Sequence, residues 1–160
     1  MGRAWIFPVF IAAMLAGCVA LLGATITDTG AWYQALAKPG WAPPDAAYGV
    51  AWTAIYACTA LSGVAGWLAS SSWRAREWLL GLFALNGFLN ILWSLLFFRL
   101  HRPDWAAIEV VALWLSVAIL VAITARRSRV AAALLLPYLL WVAFAGYLNW
   151  TIVQLNGPFA

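Results

Sequence analysis

The stretch Trp5–Ile26, WIFPVFIAAMLAGCVALLGATI, contains no charged side chain. Roughly 20 apolar residues are what an α-helix needs to cross the hydrocarbon of a bilayer. Runs of similar length return at Ala46–Ser70, Trp78–Phe98, Trp105–Ala125 and Val130–Leu155, with Glu109 the single charge inside them. Backbone polar groups in lipid must be satisfied internally, and these runs are too long and too uniformly apolar for barrel strands. The reading is an all-α membrane protein, a bundle of five transmembrane helices forming one domain over residues 1–160.

Composition agrees. Of 160 residues, 66% are hydrophobic and 9% charged, whereas a soluble domain carries about 25% charged residues. The connectors are Thr27–Asp45, then SSSWRARE, RLHRPD and RRSR, so one loop is long. Arg3, Arg74, Arg76, Arg126, Arg127 and Arg129 fall on one side of the membrane, against Lys38, Arg99 and Arg102 on the other. By the positive-inside rule, the amino terminus is cytoplasmic and the long loop outside in a translocon-served membrane. The bias does not choose between an inner and an outer bacterial membrane. The formal charge of +4 then reports topology and lipid contact, with no nucleic-acid partner. LAGC at Leu15–Cys18 resembles a lipoprotein cleavage site, but the apolar CVALLGATI that follows reads as a retained span. Cys18, Cys58 and one His have no metal-binding spacing, so no metal site is expected and the cysteines read as small packing residues.

Helices associate in lipid through small residues. Ala12, Ala16, Ala20 and Ala24 form one such stripe, and Ala54, Cys58, Ser62, Gly66 and Ser70 a second; both are expected to be tight contacts. Gly81, Ala84 and Gly87 mark a candidate dimer face.

Measured inward from the long loop, Trp93 lies about 8 Å deep, Trp52 and Asn149 about 9 Å, Asn90 about 12 Å and Ala145 about 15 Å, with Trp141 deeper. Trp105 and Glu109 start the fourth span. Asn86, Asn90 and Trp93 share a helical face, as do Trp52 with Tyr56, Trp105 with Glu109, and Trp141 with Ala145 and Asn149. Polar groups at depth are costly against lipid, so these faces are expected to point inward around a pocket for a flat, largely apolar ligand. The competing reading is an interfacial aromatic belt, which accounts for Trp5, Trp73, Trp78 and Trp105 without a ligand. In the long loop, Pro39, Pro43 and Pro44 stiffen WYQALAKPGWAPP, and Trp32, Tyr33 and Trp41 can pack down as a lid. His101, beside Arg102 in a short basic loop, reads as a surface residue and not as a haem ligand.

WYQALAKPGWAPP, AWTAIY, LNILWSLLFF and PYLLWVAFAGYLN, in that order, resemble the TspO/translocator protein family, the tryptophan-rich sensory proteins that include the peripheral benzodiazepine receptor. The resemblance implies five membrane helices, usually a homodimer, and a pocket under the first loop for porphyrins such as protoporphyrin IX, haem-related tetrapyrroles, sterols or benzodiazepine-type ligands. No cofactor is required; a porphyrin enters as ligand or substrate. Carried across residue by residue, the ligand-binding positions are Tyr33, Pro44, Trp52, Asn90, Trp93, Trp105, Trp141, Ala145 and Leu148. Tyr147 lacks a Lys or Arg in the residues that follow it, so the sterol motif is incomplete.

Three functions follow from this. A receptor or sensor would hold a tetrapyrrole between indoles. An enzyme would break down protoporphyrin using light and oxygen, with Trp52 and Trp141 as the redox-active, catalytic indoles. A transporter has the least support, since no inverted repeat or interrupted helix pair is visible.

Overall fold

The computed structural model describes residues 5–159; Arg3, counted above in the charge bias, lies outside them. Five helices are long and apolar enough to cross a membrane, as expected for a multi-pass integral membrane protein. They are α1 (Ile6–Ile26), α3 (Asp45–Leu68), α4 (Trp73–Ser94), α5 (Pro103–Ala125) and α6 (Arg129–Asn156); α2 (Ala31–Ala35) is a short helix in the long loop. Local chemistry sets the ends. Ser72 and Ser128 accept from the backbone N–H of Ala75 and Ala131, each at 3.2 Å, capping α4 and α6. Pro103 opens α5, where its missing N–H costs nothing.

One departure from the expected spans is at the end of α4. There the chain continues as a π-helical turn over Leu95–Arg99, so the third span runs from Trp73 to Arg99. Such turns are rare and concentrate at functional sites.

The spans close into a ring in which α1 touches α3 and α4, α3 touches α6, α6 touches α5, and α5 returns to α4. The α5–α6 pair is the most extensive contact, and it buries Leu113, Val117, Leu120, Leu135 and Val142 with Ile55 of α3. Buried polar side chains link the helices. Ser62 donates to the Ala131 carbonyl at 2.7 Å, and Asn86 donates to Ser116 Oγ at 2.8 Å. Asn149 joins three helices: it accepts from Trp93 Nε1 at 3.1 Å and donates to the Pro103 carbonyl at 2.8 Å.

The second small-residue stripe makes the expected tight contact only over its last three members, since Ala54 is exposed and Cys58 half-buried. Ser62, Gly66 and Ser70 are buried, and a side chain at Gly66 would meet Leu79 at 3.0 Å. The α1 stripe does not. Ala12, Ala16, Ala20 and Ala24 face two hollows, and only Pro8 and Gly23 of α1 are buried. Side chains this short cannot reach across from a peripheral helix, so the stripe leaves space. On α4, Gly81 and Ala84 are exposed and nothing stands near Gly81, while Gly87 approaches Val19.

Candidate functional site

Under the long loop lies a cavity of about 530 Å³ bounded by α1, α3, the end of α4 and α6. That volume falls within the range typical of small-molecule pockets. Its α3 wall is a single helical face, Tyr48, Trp52 and Tyr56, one turn apart. Trp52 stacks on Tyr56 with centroids 5.4 Å apart and meets Trp141 edge-on at 6.5 Å; Tyr48 meets Trp141 edge-on at 6.0 Å. Opposite, Trp93 stacks on Phe97 at 5.3 Å, and the π-helical turn brings Phe98 to the same wall. Ala20, Gly23 and Ala24 of α1 leave the remaining side open in volume.

The roof is held at several points. Asn156, at the end of α6, accepts from the Ala37 N–H at 2.8 Å and donates to the Ala37 carbonyl at 2.9 Å. Trp41 stacks on Tyr147 at 5.3 Å, and Trp32 stacks on His101 at 4.1 Å. His101 adopts a left-handed backbone, φ 53°, unusual for a residue with a side chain. It thus supports the loop from outside the cavity. Tyr33 is buried beneath the roof, with its hydroxyl 3.4 Å from Asp45 Oδ1 and Lys38 Nζ 3.7 Å from its ring centroid. Burial, reinforced by Tyr48 and Asp45, raises the Tyr33 hydroxyl well above its ordinary range, so it stays a neutral donor.

Of the residues singled out from the sequence, Tyr33, Trp52, Trp93, Trp141, Ala145 and Leu148 all line this cavity. Pro44, Asn90 and Trp105 do not. Pro44 is exposed at the start of α3, where its carbonyl accepts from the Ala47 N–H at 2.8 Å. Asn90 lies below the cavity floor. It accepts from Tyr56 at 3.1 Å and donates to the Tyr138 hydroxyl at 3.2 Å, which engages both ends of its amide. Trp105, with its neighbour Glu109 expected inward, is 48% exposed and carries the Arg102 guanidinium 4.2 Å from its ring centroid. It belongs with Trp5, Trp73 and Trp78, likewise exposed at the span ends. Both Glu109 carboxylate oxygens are shielded and without a hydrogen-bond partner among the described residues, and Glu109 does not reach the cavity.

Three aromatic contributors were not singled out. Tyr48 was readable from its position one turn before Trp52. Phe97 was readable in the same way, one turn after Trp93; Phe98 was not, because an α-helical register does not place it on the same wall as its neighbour.

Among the described residues, one cavity-lining side chain has a fully shielded donor without a partner. Trp141 Nε1 is shielded from solvent and has no partner among the described residues. Buried polar groups are nearly always paired, so this N–H stands out; being shielded from the cavity as well, it would meet an acceptor on a bound molecule only after the indole rotates.

Comparison with known proteins covers almost the whole chain. A model of the TspO/MBR family matches residues 10–155. The chain is 40% identical over 144 residues to the tryptophan-rich protein TspO of Chlorobaculum tepidum, covering 86% of this chain and 89% of that protein. It is 33% identical to protein CrtK of Rhodobacter capsulatus, over 94% of this chain and 92% of that one. Against the translocator protein of Bos taurus it is 32% identical, over 78% and 75%. A match from within the first span to the last turn of the fifth, around an indole-walled cavity roofed by the first loop, leaves one assignment: this membrane protein belongs to the TspO/MBR family.

Proposed function

We propose that the protein is a membrane receptor or sensor that binds a porphyrin, protoporphyrin IX or a haem-related tetrapyrrole, in the cavity under the first loop. The observation that supports this best is the set of aromatic walls, Tyr48, Trp52 and Trp141 together with Trp93 and Phe97, around one cavity. A flat apolar macrocycle can stack on or edge against Trp52, Tyr48 and Trp93, and an acceptor at its rim can take the indole N–H. Titration of the purified protein with protoporphyrin IX in the dark, read by quenching of tryptophan fluorescence, is expected to saturate. Replacing Trp52 and Trp141 together by Ala is expected to abolish saturation. Quenching that rises without limit in both proteins, as for pigment dissolving in detergent, overturns the reading.

A second reading is favoured by the edge-on contact of Trp52 and Trp141 at the cavity wall. With light and oxygen supplied, these indoles would take part in oxidative breakdown of the bound pigment. Illuminating the complex separates the two readings. An altered product that fails to form in the Trp52→Phe, Trp141→Phe double variant favours the enzyme; unchanged pigment favours the sensor.

A further inference from the structure

A second hollow occupies the other half of the membrane. It is an open groove of about 520 Å³ between α1, α3 and α4, divided from the upper cavity by Tyr56. Ala12 and Ala16 of α1, Ala60 and Gly63 of α3 and Gly87 of α4 keep it unfilled. Its mouth, at the α3–α4 turn, is framed by Trp67 and Trp73, edge-on at 5.7 Å. Arg76 does not line the groove itself but stands beside it, its guanidinium carbon 5.5 Å from the centroid of the groove-lining Trp67. Arg76 Nε is shielded and has no hydrogen-bond partner among the described residues. Nor does a carboxylate meet it: among the described residues the one ion pair is Arg102–Asp104, near the opposite face. Arg74, Arg126, Arg127 and Arg129 share the face with Arg76, against Glu77 alone.

We propose that this groove binds an anionic phospholipid of the adjoining leaflet, one acyl chain lying between α1, α3 and α4 and the phosphate meeting Arg76. Charge and polarity carry the argument together. The walls are mostly hydrocarbon, with the Asn86 and Asn90 amides engaged within the protein, the groove opens sideways beside the exposed α1, the indoles stand at headgroup depth, and the free charge at the mouth is positive. The inference does not depend on what the upper cavity binds.

Cys18 lines the groove and reports on its occupant. In a Cys58→Ala background, a bimane on Cys18 is read in nanodiscs of zwitterionic phospholipid carrying a minor fraction of brominated-chain lipid. Brominated phosphatidylglycerol is expected to quench as if enriched about fivefold over brominated phosphatidylcholine, the effect of one arginine near the surface. Arg76→Gln is expected to remove the excess and Arg76→Lys to retain it. Arg74→Gln, at an exposed position, is expected to leave it intact. Ala60→Phe, which fills the groove, is expected to remove it with every arginine in place. Native mass spectrometry with Cys18 unmodified should show phosphatidylglycerol retained by the parent and lost in Arg76→Gln. Equal quenching by the two lipids, an excess indifferent to Arg76→Gln, or shielding from both lipids with Cys18 cross-linking between copies overturns the proposal.

Discussion

Two indoles of the cavity differ by one hydrogen bond, and that difference is testable. Trp93 Nε1 is held by Asn149 Oδ1, whereas Trp141 Nε1 has no partner among the described residues. Substitution by Phe removes the N–H from both and trims both rings alike. Trp93→Phe leaves the Asn149 oxygen without its donor and is expected to destabilise by about 1 kcal/mol more than Trp141→Phe, in thermal melts in detergent. Trp141→Phe is instead expected to weaken dark binding of protoporphyrin IX about three- to tenfold, the worth of one net hydrogen bond. Equal melting losses with unchanged pigment affinity would remove Trp141 Nε1 as the ligand donor. The tryptophans themselves were legible because an indole or amide deep in a span has few places to point except inward. Asn90 falls outside the upper cavity for a related reason: depth announces a buried polar group but not its partners, and the two tyrosine hydroxyls that engage it come from other helices.

The elements around the cavity divide into a fixed frame and a fastened roof. The α5–α6 pair supplies the frame, with Leu113, Val117, Leu120, Leu135 and Val142 buried in its core. The roof depends on few contacts, of which the paired hydrogen bonds between Asn156 and the Ala37 backbone are the most directional. Asn156→Ala removes both while leaving the aromatic contacts of Trp32 and Trp41. It is expected to raise amide exchange across residues 31–42 and to speed pigment release about tenfold, with little change in melting temperature. Unaltered exchange in that segment would show that the stacked aromatics alone hold the loop. Of these elements, the five spans and the lid-like loop could be read from runs of apolar residues and from the prolines. The π-helical turn could not, since LLFFR has no periodicity that distinguishes it from α-helix. The α1 alanines were equally opaque: small residues permit close approach, but whether a neighbour comes close is decided by the other helices.

For the whole molecule, the distribution of arginines links fold, orientation and lipid. The C-terminal ends of α3 and α5 and the N-terminal ends of α4 and α6 share one face, and Arg74, Arg76, Arg126, Arg127 and Arg129 all lie there. If the positive-inside rule governs insertion, that face is cytoplasmic, the roofed cavity opens toward the opposite side, and the groove faces the leaflet where anionic lipids concentrate their charge. The test uses single cysteines in a Cys18→Ser, Cys58→Ala background. Ala35→Cys, exposed in the roof loop, is expected to react with an impermeant maleimide on intact cells whose outer barrier has been opened. Ser71→Cys, exposed in the α3–α4 turn, is expected to react only after lysis. Replacing Arg126, Arg127 and Arg129 by Gln leaves three basic residues assigned to each side, counting Arg3. With the bias gone, both positions are expected to label in part before lysis. Complete labelling of Ser71→Cys in the parent without lysis would reverse the orientation and place the arginine-lined groove in the outer leaflet.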